Sequence, residues 1–259
     1  MTYLSKFKGI TGRSFWISGR NCLKSDRLLD QRHSREEFFR TSGDKIRFFL
    51  EEGALAPDGS LTCDKYQAFN KVGHALHDLD PVFSAFSRKP ALAELAATLG
   101  LVDPLLLQSM YIFKSAHIGA EVVCHQDSTF LYTEPESVLG FWVALGDATV
   151  ENGCLWAAPG GHKGPLRQRF HHRDGKLGMT TLDSTPFEEA SIPLEAKQGS
   201  LIVLHGRLPH RSGANLSDRS RHAYTLHVID GFCSYPDDNW LHRSADMPLR
   251  GFVKEPGAG

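Results

Sequence analysis

Gly199-Ser200-Leu201-Ile202-Val203-Leu204-His205-Gly206 is the stretch that decides the fold class. A short apolar run between glycines predicts a buried strand that ends in a turn. The pattern repeats on both sides of it. Strand-like apolar runs cover Leu105 to Phe113, Val138 to Leu145, Leu155 to Ala158 and Ala223 to Ile229. Turn chemistry separates them, in Glu151-Asn152-Gly153, Pro159-Gly160-Gly161 and Ser212-Gly213-Ala214-Asn215. Ahead of these strands, Pro90 to Gly100 reads as a short helix. Proline stands near its start, Leu92, Leu95 and Leu99 fall at helical spacing, and Gly100 is the stop. A helix followed by many short strands predicts an α+β, mainly β chain built on a sandwich or jelly-roll barrel.

Composition narrows the function classes. The chain has 259 residues, 41% of them hydrophobic, which is enough for a sizeable core. Its 29 Lys and Arg against 30 Asp and Glu leave a net charge of −1, without the electrostatic footprint of a nucleic-acid binder. The longest apolar run, Val138 to Gly146, is about half of the roughly 20 residues a bilayer requires, so no membrane span is expected. Five cysteines (Cys22, Cys63, Cys124, Cys154, Cys233) form no C-x-x-C pair and are odd in number. Reduced thiols in the cytoplasm follow from that. Residues 1–35 differ from the rest. Lys6, Lys8, Arg13, Arg20 and Lys24 occur with no acidic residue among the first 25. This fits a mitochondrial targeting segment or, equally, a basic, poorly ordered leader. Residues 36–259 read as one domain, and no feature sets an oligomeric state.

The chemistry begins at Cys124-His125-Gln126-Asp127-Ser128. In a strand, residues two apart share a face, so His125 and Asp127 would stand side by side. A second H-x-D, His172-Arg173-Asp174, sits in a polar stretch and reads as a solvated loop. Downstream of the deciding stretch come His210, Ser212, Asn215, Ser217 and Arg221. Two histidines and one carboxylate form the facial triad that holds non-haem Fe(II) with three positions open. An arginine on a neighbouring strand offers a fixed fork for a dicarboxylate. His205 is a rival to His210, and Arg219 to Arg221. Cys124 alternates to the opposite face and reads as packing.

Several linked motifs then give a resemblance. His125-Gln126-Asp127, the stretch from Asn152 to His162, and the final His210-x-Ser212-x-x-Asn215-x-Ser217-x-x-x-Arg221 resemble the phytanoyl-CoA dioxygenase (PhyH) family. The similarity runs from about Ser42 to Trp240. It implies a double-stranded β-helix (jelly-roll, cupin-like) core with flanking helices. It also implies an Fe(II)- and 2-oxoglutarate-dependent dioxygenase that couples decarboxylation of 2-oxoglutarate, using O2, to hydroxylation of a small molecule. Carried over by position, His125, Asp127 and His210 would hold the iron. Arg221 and Ser212 would take the distal carboxylate of 2-oxoglutarate, while Lys71, Met110, Gln126 and Trp142 match positions lining its pocket. The family suggests an acyl-CoA-like substrate. A basic insert (Arg167, Arg169, Arg173, Lys176) offers either a lid for an anionic molecule or, more simply, a solvated loop. Two competing expectations are a non-catalytic iron- and 2-oxoglutarate-binding module and a cupin-like metal enzyme of another reaction class.

Overall fold

Two runs marked as strands, β5 (Leu139–Ala144) and β12 (Ala223–Asp230), are buried along their whole length. Strands of that kind belong in the middle of a sheet covered on both faces. In the computed structural model, which describes residues 31–253, they do. The larger antiparallel sheet has the order β1 (Ile46–Leu50), β2 (Phe69–His74), β3 (Pro104–Ile112), β12, β5, β10 (Leu201–His205). The two-residue strand β13 (Arg250–Gly251) also pairs with β3. A smaller sheet has the order β4 (Val122–His125), β11 (His210–Ser212), β6 (Leu155–Ala157), β9 (Ile192–Leu194). The architecture is a jelly-roll, mainly β with few helices.

Alternation assigns the two faces of the large sheet. Phe141 pairs with Leu226 and Trp142 with Thr225, so neighbouring residues face opposite ways. On one face Phe141, Tyr224 and Leu226 pack against Phe83, Leu92 and Ala96. These come from α3 (Pro81–Ser87) and α4 (Pro90–Thr98), which follow α1 (Gln31–Arg40) and α2 (Leu76–Leu79). Asp80 starts α3 by accepting hydrogen bonds from the backbone N–H groups of Val82 (2.9 Å) and Phe83 (3.1 Å), with Pro81 in the first turn. On the other face Trp142, Leu204 and Ala223 meet Leu155 of the smaller sheet. The space between the two sheets is where polar groups collect.

Two expectations change here. The polar segment around His172-Arg173-Asp174 is a hairpin, β7 (Gln168–Arg173) with β8 (Lys176–Thr181), turning at Asp174-Gly175. Three of the four cations of the basic insert are already engaged, and Lys176 is exposed. Arg169 and Arg173 both pair with Asp238, the latter at 2.7 Å, and Arg167 pairs with Glu188 at 3.1 Å. The leader at residues 1–35 lies outside the described residues as far as residue 30, and α1 runs across its expected end.

The segment after β12 returns to the large sheet through one buried carboxylate. Asp78 lies 2.6 Å from Arg88, 3.1 Å from Arg243 and 3.1 Å from Arg250. Burial opposes its charge, but His77 and the Arg243 guanidinium outweigh it and hold the carboxyl well below the usual carboxylate range. Removing one partner from a buried ion cluster leaves the others uncompensated. Asp78→Ala should therefore lower unfolding free energy by about 3–5 kcal/mol, read from the denaturant midpoint.

Candidate active site

Strand β4 ends at His125. Gln126 continues the extended backbone (φ −115°, ψ 135°), and Asp127 opens a 3-10 turn, Asp127–Thr129. Asp127 is thus in a turn rather than in the strand, yet the extended Gln126 keeps the alternation. His125 and Asp127 point one way and Gln126 the other. The Gln126 side chain does not line the cavity expected for it. Its Nε2 donates to the carbonyls of Arg207 (2.8 Å) and Pro165 (3.1 Å), and its Oε1 accepts from Arg167 N–H (2.9 Å). It anchors loops instead.

Strand β11 pairs antiparallel with β4 so that His210 lies directly opposite His125. Asp127 Oδ1 then stands 3.6 Å from His125 Nε2 and 3.7 Å from His210 Nε2. The three side chains offer ligand atoms that all lie within 4.8 Å of one another. Backbone carbonyls fix both imidazoles. Val123 O lies 2.8 Å from His125 Nδ1, and Leu208 O lies 2.9 Å from His210 Nδ1. A carbonyl can only accept, so each Nδ1 carries a proton and each Nε2 is the atom turned inward. Burial pushes the His210 pKa down, against the pull of Asp127. Burial also opposes charge on Asp127, but His210 and His227 outweigh it and hold the carboxyl well below its ordinary range. For His125 burial is outweighed by the adjacent Asp127 carboxylate, and the pKa is instead raised. Two imidazole nitrogens and one carboxylate oxygen converge, which is the donor set that suits a divalent iron.

The second carboxylate oxygen has its own surroundings. Asp127 Oδ2 lies 3.4 Å from His227 Nε2, and a Cβ at Gly140 would come within 3.0 Å of it. A side chain there would crowd the carboxylate, so glycine suits the close passage of β5 beneath it.

A cavity of about 340 Å³ opens from the triad between the sheets, lined by Lys71, Met110, Trp142, Ser212 and Arg221 among others. Arg221 is only 2% exposed. Its Nε donates to Gly153 O (3.0 Å), its Nη2 to Ser212 Oγ (3.3 Å), and its Cζ sits 5.3 Å above the Trp142 ring. Arg221 Nη1 has no hydrogen-bond partner among the described residues. Burial lowers its pKa to about 10, so it stays a cation at neutral pH. The half-buried Lys71, also shifted down by burial, places its Nζ 5.6 Å from the Phe49 ring centroid. A buried guanidinium with a free donor beside a metal-type triad fits a small dicarboxylate.

The rival residues fall elsewhere. His205 Nδ1 accepts from Arg207 N–H (3.0 Å), and its ring lies 5.4 Å from His162, outside the cavity lining. Arg219 is exposed, and its carbonyl accepts from Asn215 Nδ2 at 2.8 Å. Sequence reasoning missed Thr225 and His227, which also line the cavity. Their signal was present. They are alternate polar residues inside the apolar run of β12, on the face opposite Tyr224 and Leu226. Glu51 and Lys114, also in the lining, gave no signal of this kind.

Comparison with known proteins shows the family. The family model described as Phytanoyl-CoA dioxygenase (PhyH) matches residues 20–223. A phytanoyl-CoA dioxygenase of Arabidopsis thaliana is 48% identical over 85% of this chain and 77% of its own length. A phytanoyl-CoA dioxygenase domain-containing protein 1 of Bos taurus is 44% identical over 82% of this chain and 75% of its own. Among solved structures, the non-haem monooxygenase ThoJ aligns with TM-score 0.53 and 23% identity over 77% of this chain and 78% of its own. The non-haem alpha-ketoglutarate-dependent carbocyclase SnoK aligns with TM-score 0.53 and 19% identity over 83% and 94%. Those two likenesses speak to the fold alone. The chain belongs to the phytanoyl-CoA dioxygenase (PhyH) family, whose members are oxygenases that use Fe(II), 2-oxoglutarate and O2.

Proposed function

We propose that this protein is a hydroxylase of a small organic molecule, with Fe(II) held by His125, Asp127 and His210 and with 2-oxoglutarate held by Arg221 and Ser212. One observation carries the proposal. A single buried carboxylate oxygen is approached by two imidazoles whose other nitrogens are pinned to backbone carbonyls. Structural ion pairs do not need that preset ring orientation; a metal does.

Each side chain has a task in this scheme. His125 and His210 give imidazole nitrogens, and Asp127 gives one carboxylate oxygen while its other oxygen rests against His227. Arg221 binds the distal carboxylate of 2-oxoglutarate through its free Nη1, with Ser212 Oγ beside it. Trp142 and Met110 form apolar walls that keep the cosubstrate in place and exclude water. Bound Fe(II) supplies the redox chemistry by which O2 and 2-oxoglutarate give succinate, CO2 and an oxidised substrate.

Cavity size favours a small substrate. About 340 Å³ lies near the lower end of the roughly 300–1,000 Å³ usual for ligand pockets. It must hold the cosubstrate as well. An acyl-CoA would leave most of itself outside. The three arginines that would greet an anionic substrate at or beside the β7–β8 hairpin, Arg167, Arg169 and Arg173, are committed to Glu188 and Asp238. The remaining walls include Phe39, Phe130 and Trp240, which suit an apolar or ring-bearing group.

Succinate formation from 2-oxoglutarate tests the chemistry. It should require Fe(II), stop on chelation, and fall more than about 100-fold in His125→Ala, Asp127→Ala or His210→Ala, a loss larger than that of an outer-shell change. Turnover that persists without 2-oxoglutarate or O2 would contradict the assignment. Arg221→Met should raise the KM for 2-oxoglutarate about tenfold or more by removing a charge-assisted hydrogen bond. Product analysis tests the substrate class: hydroxylated phytanoyl-CoA formed as efficiently as any small acceptor would overturn the small-substrate proposal.

A further inference from the structure

Lys114 stands just beyond β3 in an unusual setting. It is 3% exposed, and its backbone takes φ 36°, a left-handed value that L side chains rarely adopt. Two groups hold it there. Asn215 Nδ2 and Arg221 N–H both donate to its carbonyl, at 2.9 Å and 3.1 Å. The side chain then runs past Gly153, where a Cβ would lie 2.4 Å from Lys114 Cε. Gly153 has φ 81°, so the turn needs glycine twice over, for its backbone and for the passing lysine. The same Gly153 carbonyl accepts from both Arg221 Nε and Ser212 Oγ. Lys114 is therefore built into the distal end of the cavity it lines.

The charges there do not balance. Lys114 Nζ donates to Ala120 O at 2.6 Å and makes no ion pair within 4 Å among the described residues. An ammonium has three donors, so two are left over. Arg221 is likewise buried with Nη1 unpaired and no carboxylate among its bonded partners. Glu51, 4% exposed and with Oε1 unpaired, is the one buried carboxylate that lines this end among the described residues. Two buried cations against one buried anion is a costly arrangement unless a further anion arrives.

Building on the 2-oxoglutarate assignment above, we infer that Lys114 is a second cation for the distal carboxylate, a specificity residue that acts with Arg221. A pair of cations selects a dicarboxylate over a 2-oxo acid that ends in a methyl group, since such an acid would leave both charges unanswered. The state of Lys114 supports this. Burial first, and then the Arg221 guanidinium, push its pKa down to about 8, against the opposite pull of Glu51 and Glu121. Its charge is complete below that value and is lost as pH rises through it. Affinity for the dicarboxylate should weaken in the same direction.

Calorimetric titration of Mn(II)-loaded protein under anaerobic conditions tests the inference without turnover. The two probes are 2-oxoglutarate and 2-oxopentanoate, which share the chelating end and differ only in the terminal carboxylate. Lys114→Met should raise the Kd for 2-oxoglutarate about tenfold and leave that for 2-oxopentanoate unchanged. Wild-type affinity for 2-oxoglutarate should fall between pH 7 and 9, and the variant should not follow. Equal loss for both probes, or no loss, would overturn the role of Lys114. If the variant fails to fold, the wild-type comparison still decides: the two probes changing in parallel from pH 7 to 9 would contradict it. Failure of wild-type protein to bind 2-oxoglutarate at all would instead remove the cosubstrate assignment.

Discussion

The pairing of β11 with β4, which sets His210 across from His125, is the constraint on which the site depends. The two histidines are far apart in sequence, and only the closure of the smaller sheet brings them together. Non-local pairing of this kind is entropically slow to form but rigid once made. Rigidity matters because a metal site tolerates little error in ligand position. A slip of one residue in this register would turn His210 to the other face and leave Asp127 with one imidazole.

Electrostatics explains why the cavity is more than a gap between sheets. Arg221, Lys114 and Asp127 are all buried, and Arg221 Nη1 and Asp127 Oδ2 lack hydrogen-bond partners among the described residues. Such groups destabilise a fold unless something complements them. Iron and a dicarboxylate would supply the missing charge at the two ends. Binding and folding are then linked, and the loaded protein should be the more stable form by mass action. The outer layer of helices and the Asp78 cluster offset part of that burden, because they hold the sheet from the side that carries no chemistry.

Much of this was legible in the sequence, for reasons visible in single residues. Long apolar runs gave β3, β5 and β12, whose burial on both faces erases alternation and leaves a plain hydrophobic signal. The short strands β4 and β11 stand outside the apolar runs because they carry functional side chains and only three or four residues each. The β7–β8 hairpin was read as loop because its half-buried polar residues mimic a solvated segment. His125, Asp127, His210 and Arg221 were candidates from type and spacing, with His205 and Arg219 as rivals that the geometry places elsewhere. Lys114 was not, since its placement comes from a left-handed backbone and from contacts with Asn215 and Gly153 that no local pattern encodes.

Anomalous diffraction at the iron edge, from crystals grown anaerobically with Fe(II), addresses the central claim most directly. One peak within bonding distance of His125 Nε2, His210 Nε2 and Asp127 Oδ1 is the predicted result. Iron bound elsewhere, or an empty triad in crystals saturated with ferrous ion, would contradict it.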